Sequence, residues 1–346
     1  MSSDRPIPTS ACLLLAAPAL LLAALLAGCG SSPRQSGAGT TPATRTAATG
    51  AAFPSASGKN IVQLTRGLGA GPVVAPTVRQ LDPGRDRFGF GLFSVSQKQV
   101  SGVPVALYVE RQGTSKVTGP YMATEQSLAV PPQFDSDTVK NDPAAAKSFY
   151  SAQLKFPKPG VYAVVAMSRI GGRLVASQPI GASVLSHDTV PNVGQKAPLI
   201  STPTVKSVHG DVASIDTRKP PDSMHDVNYA DAYGKRPIVL LFATPALCQS
   251  RTCAPVTDVT ETVKAEHRND PIAFIHNEIY KDNTIKPGCL EGTRPPTECY
   301  RPQLLAFNLE TEPFLFVIDK HGRIAARLEG AFSKNELEAA LKPVLK

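Results

Sequence analysis

Cys248 and Cys253 stand directly after an apolar run, Pro237-Ile238-Val239-Leu240-Leu241-Phe242. Two thiols in a C-x4-C spacing can close a disulfide. The species that attacks a disulfide is the thiolate, not the thiol. A thiolate is favoured at a helix start, where unpaired backbone N–H groups and the helix dipole stabilise the anion. Pro255 bears on where that start lies. Proline is accepted in the first helical turn and costs about 3 kcal/mol farther in. The helix is therefore expected to begin near Cys253 or Ala254, with Cys248 in the preceding loop. Were both inside the helix, they would lie about 140° apart and could join only if it melted. Either thiol could be the one that attacks. Glu312-Pro313, ahead of a second apolar run from Phe314 to Ile318, is the other candidate element. Glu312 is expected to point to solvent. Turned toward the thiols, its charge would raise a thiolate pKa.

These residues need a scaffold, and the sequence around them alternates strands and helices. Ile238–Phe242 is apolar throughout, as central parallel strands are. Val256, Val259 and Val263 fit one face of a helix reaching about His267. Pro271–Ile275 reads as a second central strand, and Pro302–Phe307 as a short helix. Phe314–Ile318, a turn at Asp319–Gly322 and Arg323–Leu328 form a hairpin, with Gly322 at the positive-φ position. Ser333 and Glu336 make a capping box for a last helix whose apolar face is Leu337, Ala340 and Leu341. Residues 280–300 form a polar, Pro-rich loop that carries Cys289 and Cys299.

The segment from about Lys59 to Leu185 reads differently. Short apolar runs such as Arg87–Phe93, Val103–Val109, Ser151–Phe156, Val161–Met167 and Leu174–Ala176 lie between glycine and proline turn signals. Phe88, Phe90 and Leu92 alternate with small residues, a period of two. Gly171-Gly172 reads as a hairpin turn. Evenly spaced strands of this kind imply an all-β sandwich. The segment has no His and no Cys, so it is expected to be a spacer or a partner-binding module.

The chain opens with an Ala/Leu-rich run, Ala11 to Ala27, too short for a confident membrane span. It ends in Leu26-Ala27-Gly28-Cys29, which resembles the lipobox of bacterial lipoproteins. That resemblance implies lipidation of Cys29 and anchoring on the extracytoplasmic face of the cell membrane. Gly30 to about Gly58 is Ser, Gly, Ala, Thr and Pro, a composition that cannot offset its ordering entropy and reads as a flexible tether. The expected organisation is a signal peptide (1–28), a tether (29–58), a β-sandwich domain (59–185), a Pro-rich linker (186–206) and an α/β domain (207–346). The net charge is +8, with the basic residues scattered, which gives nucleic-acid binding no support. Of six cysteines, Cys12 leaves with the signal and Cys29 takes the lipid. The other four imply disulfides in an exported protein and allow three pairings. Local pairing, Cys248 with Cys253 and Cys289 with Cys299, closes the shortest loops and is the expected one.

From Pro237 to Lys346 the chain resembles extracytoplasmic thioredoxin-like proteins. Leu247-Cys248 after the strand, Glu312-Pro313, and Phe316-Val317-Ile318-Asp319-Lys320-His321-Gly322-Arg323-Ile324 carry the likeness. The phrase Val193-Gly194-Gln195-Lys196-Ala197-Pro198 resembles the entry of such domains. Val161 and its neighbours after Pro159-Gly160 resemble a late strand of extracellular immunoglobulin-like domains. The resemblance implies a thioredoxin fold, with Cys248, Cys253 and Pro313 as site residues and Pro313 facing the pair in the cis form. It further implies exported protein thiols or disulfides, or another redox protein, as partners. Cys289–Cys299 is then a structural staple, and neither a cofactor nor a metal is expected. A catalytically silent binding module is the alternative. A thiol peroxidase is a lower one. Peroxiredoxins place a Thr three residues and a Pro seven residues before the attacking Cys. Counted from Cys248 those positions hold Pro245 and Leu241; from Cys253 they hold Ser250 and Ala246. Copper delivery of the Sco kind needs a His where Thr311-Glu312-Pro313 stands. His276 and His321 lie elsewhere and read as core or surface residues.

Overall fold

The computed structural model describes residues 53–346. The expected signal peptide, the lipidation site Cys29 and most of the expected tether lie outside the described residues. No helix among the described residues is long and apolar enough to cross a membrane.

The β-rich segment comprises α1 (Ile61–Thr65), β1 (Gly69–Ala70), β2 (Val73–Pro76), β3 (Gly84–Phe93), β4 (Val105–Arg111), β5 (Val117–Ser127), α2 (Asp137–Asn141), β6 (Ser148–Phe156), β7 (Gly160–Ile170), β8 (Arg173–Ala176) and β9 (Ile180–Val184). Its strands run in the order β1-β8-β7-β4-β5-β6-β3-β2, with β9 on β7. The strands expected to form a β-sandwich form one continuous, curled ladder. The reason is β5. Its residues from Val117 to Ala123 pair with β4, and Thr124–Ser127 pair with β6. The curl brings Phe88, Phe90, Leu92, Leu154 and Phe156 against Leu107, Val164 and Ala166 in one core. These side chains alternate along their strands, as a pleat with one buried face requires. Gly171 and Gly172 have φ of 55° and 79° and join β7 to β8, the pair of positive angles that a tight hairpin needs.

The α/β segment comprises α3 (Tyr229–Ala232), β10 (Ile238–Phe242), α4 (Cys253–Glu266), β11 (Ala273–Asn277), α5 (Pro296–Cys299), α6 (Pro302–Ala306), β12 (Phe314–Ile318), β13 (Ile324–Glu329) and α7 (Lys334–Leu341). The sheet order is β11-β10-β12-β13. β10 and β11 are parallel, while β12 is antiparallel to both β10 and β13. This is the element order that the thioredoxin resemblance implied. β10 is apolar throughout because both its faces are covered. Val239 and Leu241 pack with Val256, Val259 and Leu337 of α4 and α7. Ile238, Leu240 and Phe242 pack on the other side with Phe307 and Tyr229. The start of β13 is joined on its outer edge by residues 194–197, within the expected linker. Gly194 N–H donates to Ile324 O at 2.8 Å and Ala197 N–H to Gly322 O at 3.0 Å.

The two segments share buried groups. Leu128 and Phe149 of the β-rich part lie in the same core as Cys253 and Phe332. Asp258, buried on α4, accepts Ser136 N–H at 2.8 Å and Arg218 Nε–H at 2.8 Å. Glu329 accepts the N–H groups of Arg79 and Gln80 at 2.8 and 3.0 Å.

Candidate functional site

α4 starts at Cys253, two residues before Pro255, so the proline sits in the first turn. Thr252 flanks the helix without a side-chain cap. The orphan N–H groups of that turn therefore keep their capacity to favour an anion at Cys253. Cys253 is buried, because its side chain joins the α4 face packed on β10. Cys248 lies in the loop after β10 and is half-buried. The two are disulfide-bonded with Cα atoms 5.9 Å apart. Cys253 N–H also points to Cys248 Sγ at 3.4 Å. Ser250 Oγ lies 3.2 Å from Cys248 Sγ and 2.8 Å from Thr252 Oγ1. Arg251, with φ of 57°, has its guanidinium 3.8 Å from Asp142.

Glu312 does not point to solvent. Its Oε2 lies 3.4 Å from Cys253 Sγ. The reason is strand register. Phe242 pairs with Phe314 across β10 and β12, so continuing both chains sets Thr244 opposite Glu312. Burial pushes the Glu312 carboxyl up to about 8, and the Glu278 charge adds to the rise. Hydrogen bonds from Thr244 and the charge of His276 oppose it. Pro313 is buried next to it, its peptide bond with Glu312 is cis, and its carbonyl accepts Gly330 N–H at 2.8 Å.

Behind Glu312 lies a line of buried titratable groups that the sequence reading missed. Glu278 accepts Thr217 N–H and Oγ1–H at 2.7 and 2.8 Å, and burial raises its pKa. His276, on β11, has an acceptor at each ring nitrogen: Asp222 Oδ2 at 2.7 Å and Ala243 O at 3.0 Å. Burial alone would lower its pKa, but Asp222 and then Asp216 and Glu278 raise it to about 10. Burial would raise Asp222, yet His276 holds it well below the usual carboxylate range. The Asp222-x2-His225 spacing was the one local signal for this cluster, and it sits in a stretch without strand or helix periodicity. His321, in the β12–β13 turn, is exposed.

Cys289 and Cys299 are bonded as expected, with Cα atoms 5.6 Å apart. Both are buried, and Tyr300 Oη–H donates to Cys289 O at 3.4 Å. Among the described residues, two groups have the donors to hold a metal ion: Cys248, Cys253 and Glu312, and separately Asp216, Asp222, His225 and His276. A groove of about 1110 Å³ runs from Ser250–Thr252 along β2 and β3; Phe93, Lys98, Lys147 and Arg251 are among its lining residues.

No family model matches the chain, and no curated protein matches it. Solved structures do. One is a thiol:disulfide interchange protein of the thioredoxin family from Chlorobium tepidum, 18% identical, with a TM-score of 0.30; the match covers 46% of this chain and 100% of that one. Another is the thioredoxin domain of a thiol-disulfide oxidoreductase from Bacteroides vulgatus, 14% identical with a TM-score of 0.28, covering 44% of this chain and 98% of that one.

Proposed function

We propose that the protein is a lipid-anchored, extracytoplasmic thioredoxin-like oxidoreductase that exchanges disulfides with exported proteins or another redox protein through Cys248 and Cys253. The carrying observation is the placement of the pair. Cys253 opens α4 with a carboxyl group 3.4 Å from its sulfur, and the bonded Cys248 is the half-buried partner. Anchoring rests on the sequence around Cys29. The β-rich segment is read as an immunoglobulin-like spacer or partner-binding module between a tether and the thioredoxin-like part, with Cys289–Cys299 as a staple.

In this reading a substrate thiolate attacks Cys248 Sγ. A bond forms between the substrate sulfur and Cys248, and the Cys248–Cys253 bond breaks. Cys253 leaves as a thiolate favoured by the helix start. Glu312, protonated below about pH 8, supplies its proton. The second substrate thiol then attacks the mixed disulfide and releases Cys248. The substrate dithiol loses two electrons and the pair gains them. With the same groups, the reverse sequence reduces a substrate disulfide, Glu312 taking back the proton. The groove beside Ser250–Thr252 gives an incoming polypeptide a place to lie.

The reduction potential against glutathione tests the reading, with Cys253→Ser as control. A potential within the range of exchange proteins, above about −270 mV, supports it. A value well below about −300 mV would mark a structural bridge and leave the silent binding module in its place. Hydrogen-peroxide turnover in the wild type, lost in Cys248→Ser, would instead indicate a peroxidase.

A further inference from the structure

Four side chains that disulfide exchange does not use converge beside β11: Asp216, Asp222, His225 and His276. All are buried, and each offers a donor atom within 4.8 Å of the others. Three of them have settled partners. His276 is occupied at both nitrogens, as described. Asp216 accepts Arg218 N–H and Asp222 N–H at 2.7 and 2.8 Å. Asp222 accepts Met224 N–H at 2.8 Å besides His276.

His225 is the exception. It is 1% exposed, and neither ring nitrogen has a hydrogen-bond partner. Buried polar atoms of native proteins are seldom left so. Its Nε2 lies 3.4 Å from Asp216 Oδ2 and 3.4 Å from Asp222 Oδ1. Those separations are long for a hydrogen bond to either oxygen. They match a different geometry. Two ligand atoms each about 2.1 Å from a tetrahedral ion stand about 3.4 Å apart.

We propose that Asp216 Oδ2, Asp222 Oδ1 and His225 Nε2 bind a divalent transition-metal ion of the zinc class. His276 is the positioning residue: its Nδ1–H holds the other oxygen of Asp222, the kind of outer hydrogen bond that orients a ligand. One imidazole and two carboxylates form a nitrogen–oxygen donor set that suits zinc and disfavours copper(I). The three ligands lie within ten residues of a segment without strand or helix, and His276 N–H donates to Met224 O at 3.1 Å. The ion would pin this loop beside the edge of β11.

The test uses the oxidised chain, so that Cys248 and Cys253 offer no thiolate. Protein stripped with EDTA is titrated with Zn²⁺ by calorimetry, and thermal unfolding is followed with and without the ion. The expected result is one ion per chain and a rise in Tm of about 5 °C at saturating zinc. His225→Leu and His225→Gln should both abolish the rise. Because neither ring nitrogen of His225 has a hydrogen bond to lose, His225→Leu should unfold in EDTA near the wild-type temperature. Glu312→Gln should keep the zinc effect. The proposal falls if the wild type binds no zinc, or if the zinc-dependent rise survives in both His225 variants. It also falls if Glu312→Gln removes the rise, which would place the ion at Glu312.

Discussion

Two disulfides among the described residues have similar span and the same covalent chemistry, and their surroundings separate them. Cys248–Cys253 joins a half-buried loop residue to the first residue of a long helix, beside a carboxyl group with a raised pKa. Cys289–Cys299 joins two buried residues at the ends of a turn-rich loop, packed under Tyr300. In the proposed reading the first has an approach for a nucleophile, a place to stabilise the leaving thiolate and a proton source. The second has none of these among the described groups. Reactivity in cysteine pairs follows access and thiolate stabilisation more than loop size.

The contrast can be broken most sharply by mild reduction of the native protein. With limiting dithiothreitol followed by iodoacetamide, label should appear at Cys248 and Cys253 at least a hundredfold ahead of Cys289 and Cys299, equivalent to about 60 mV. Equal labelling of the pairs would erase the distinction. Next in size is stability. Replacing Cys289 and Cys299 together by serine should cost about 2–3 kcal/mol in denaturant unfolding while exchange activity persists. Replacing Cys248 and Cys253 should cost a similar amount and abolish activity. If the Cys289 and Cys299 variant loses exchange activity while still folded, the staple reading fails.

Glu312 sharpens the comparison through pH. Its carboxyl titrates near 8 when folded, above the usual carboxylate range. The folded state thus holds a proton that the unfolded chain has released, so stability falls as pH rises from about 4.5 to about 8. Oxidised Glu312→Gln should escape that fall and gain about 2 kcal/mol over the wild type at pH 9, a figure discounted for the group's partial exposure. Its exchange rate should drop about tenfold at pH 7 and lose the inflection near pH 8. Urea unfolding and stopped-flow exchange across pH 5–9 would read both, and identical profiles for the two proteins would remove Glu312 from the mechanism.

Much of the positioning frame was legible in local sequence. Pro255 located the start of α4. The capping box formed as read, with Glu336 N–H donating to Ser333 Oγ at 3.2 Å and Ser333 N–H to Glu336 Oε2 at 3.1 Å. Period and turn residues found β10, β12 and the Gly171-Gly172 hairpin. What stayed hidden depended on register. Glu312 turns inward because β12 pairs with β10 in one alignment, which no short motif encodes. β5 was missed because Gly119-Pro120 interrupts a largely polar run, and its two pairings make the sheet continuous. Asp216, Asp222 and His225 were missed because they sit in a loop with no period, where only the folded chain brings them together.

Asp258 carries a consequence for anyone wishing to graft the thioredoxin-like part onto another scaffold. Five residues beyond Cys253, this carboxylate accepts both the N–H and the hydroxyl of Ser136, at 2.8 and 3.0 Å. Arg218, its other partner, reaches Phe134 O at 2.6 Å. Severing the chain at residue 206 strips Ser136 from Asp258 and the Phe134 carbonyl from Arg218, and uncovers the face that Leu128 and Phe149 had roofed. The α/β segment is therefore not a portable cassette. A transplant that works has to carry residues 128–149 with it, or replace Asp258, Arg218 and the bared apolar face together.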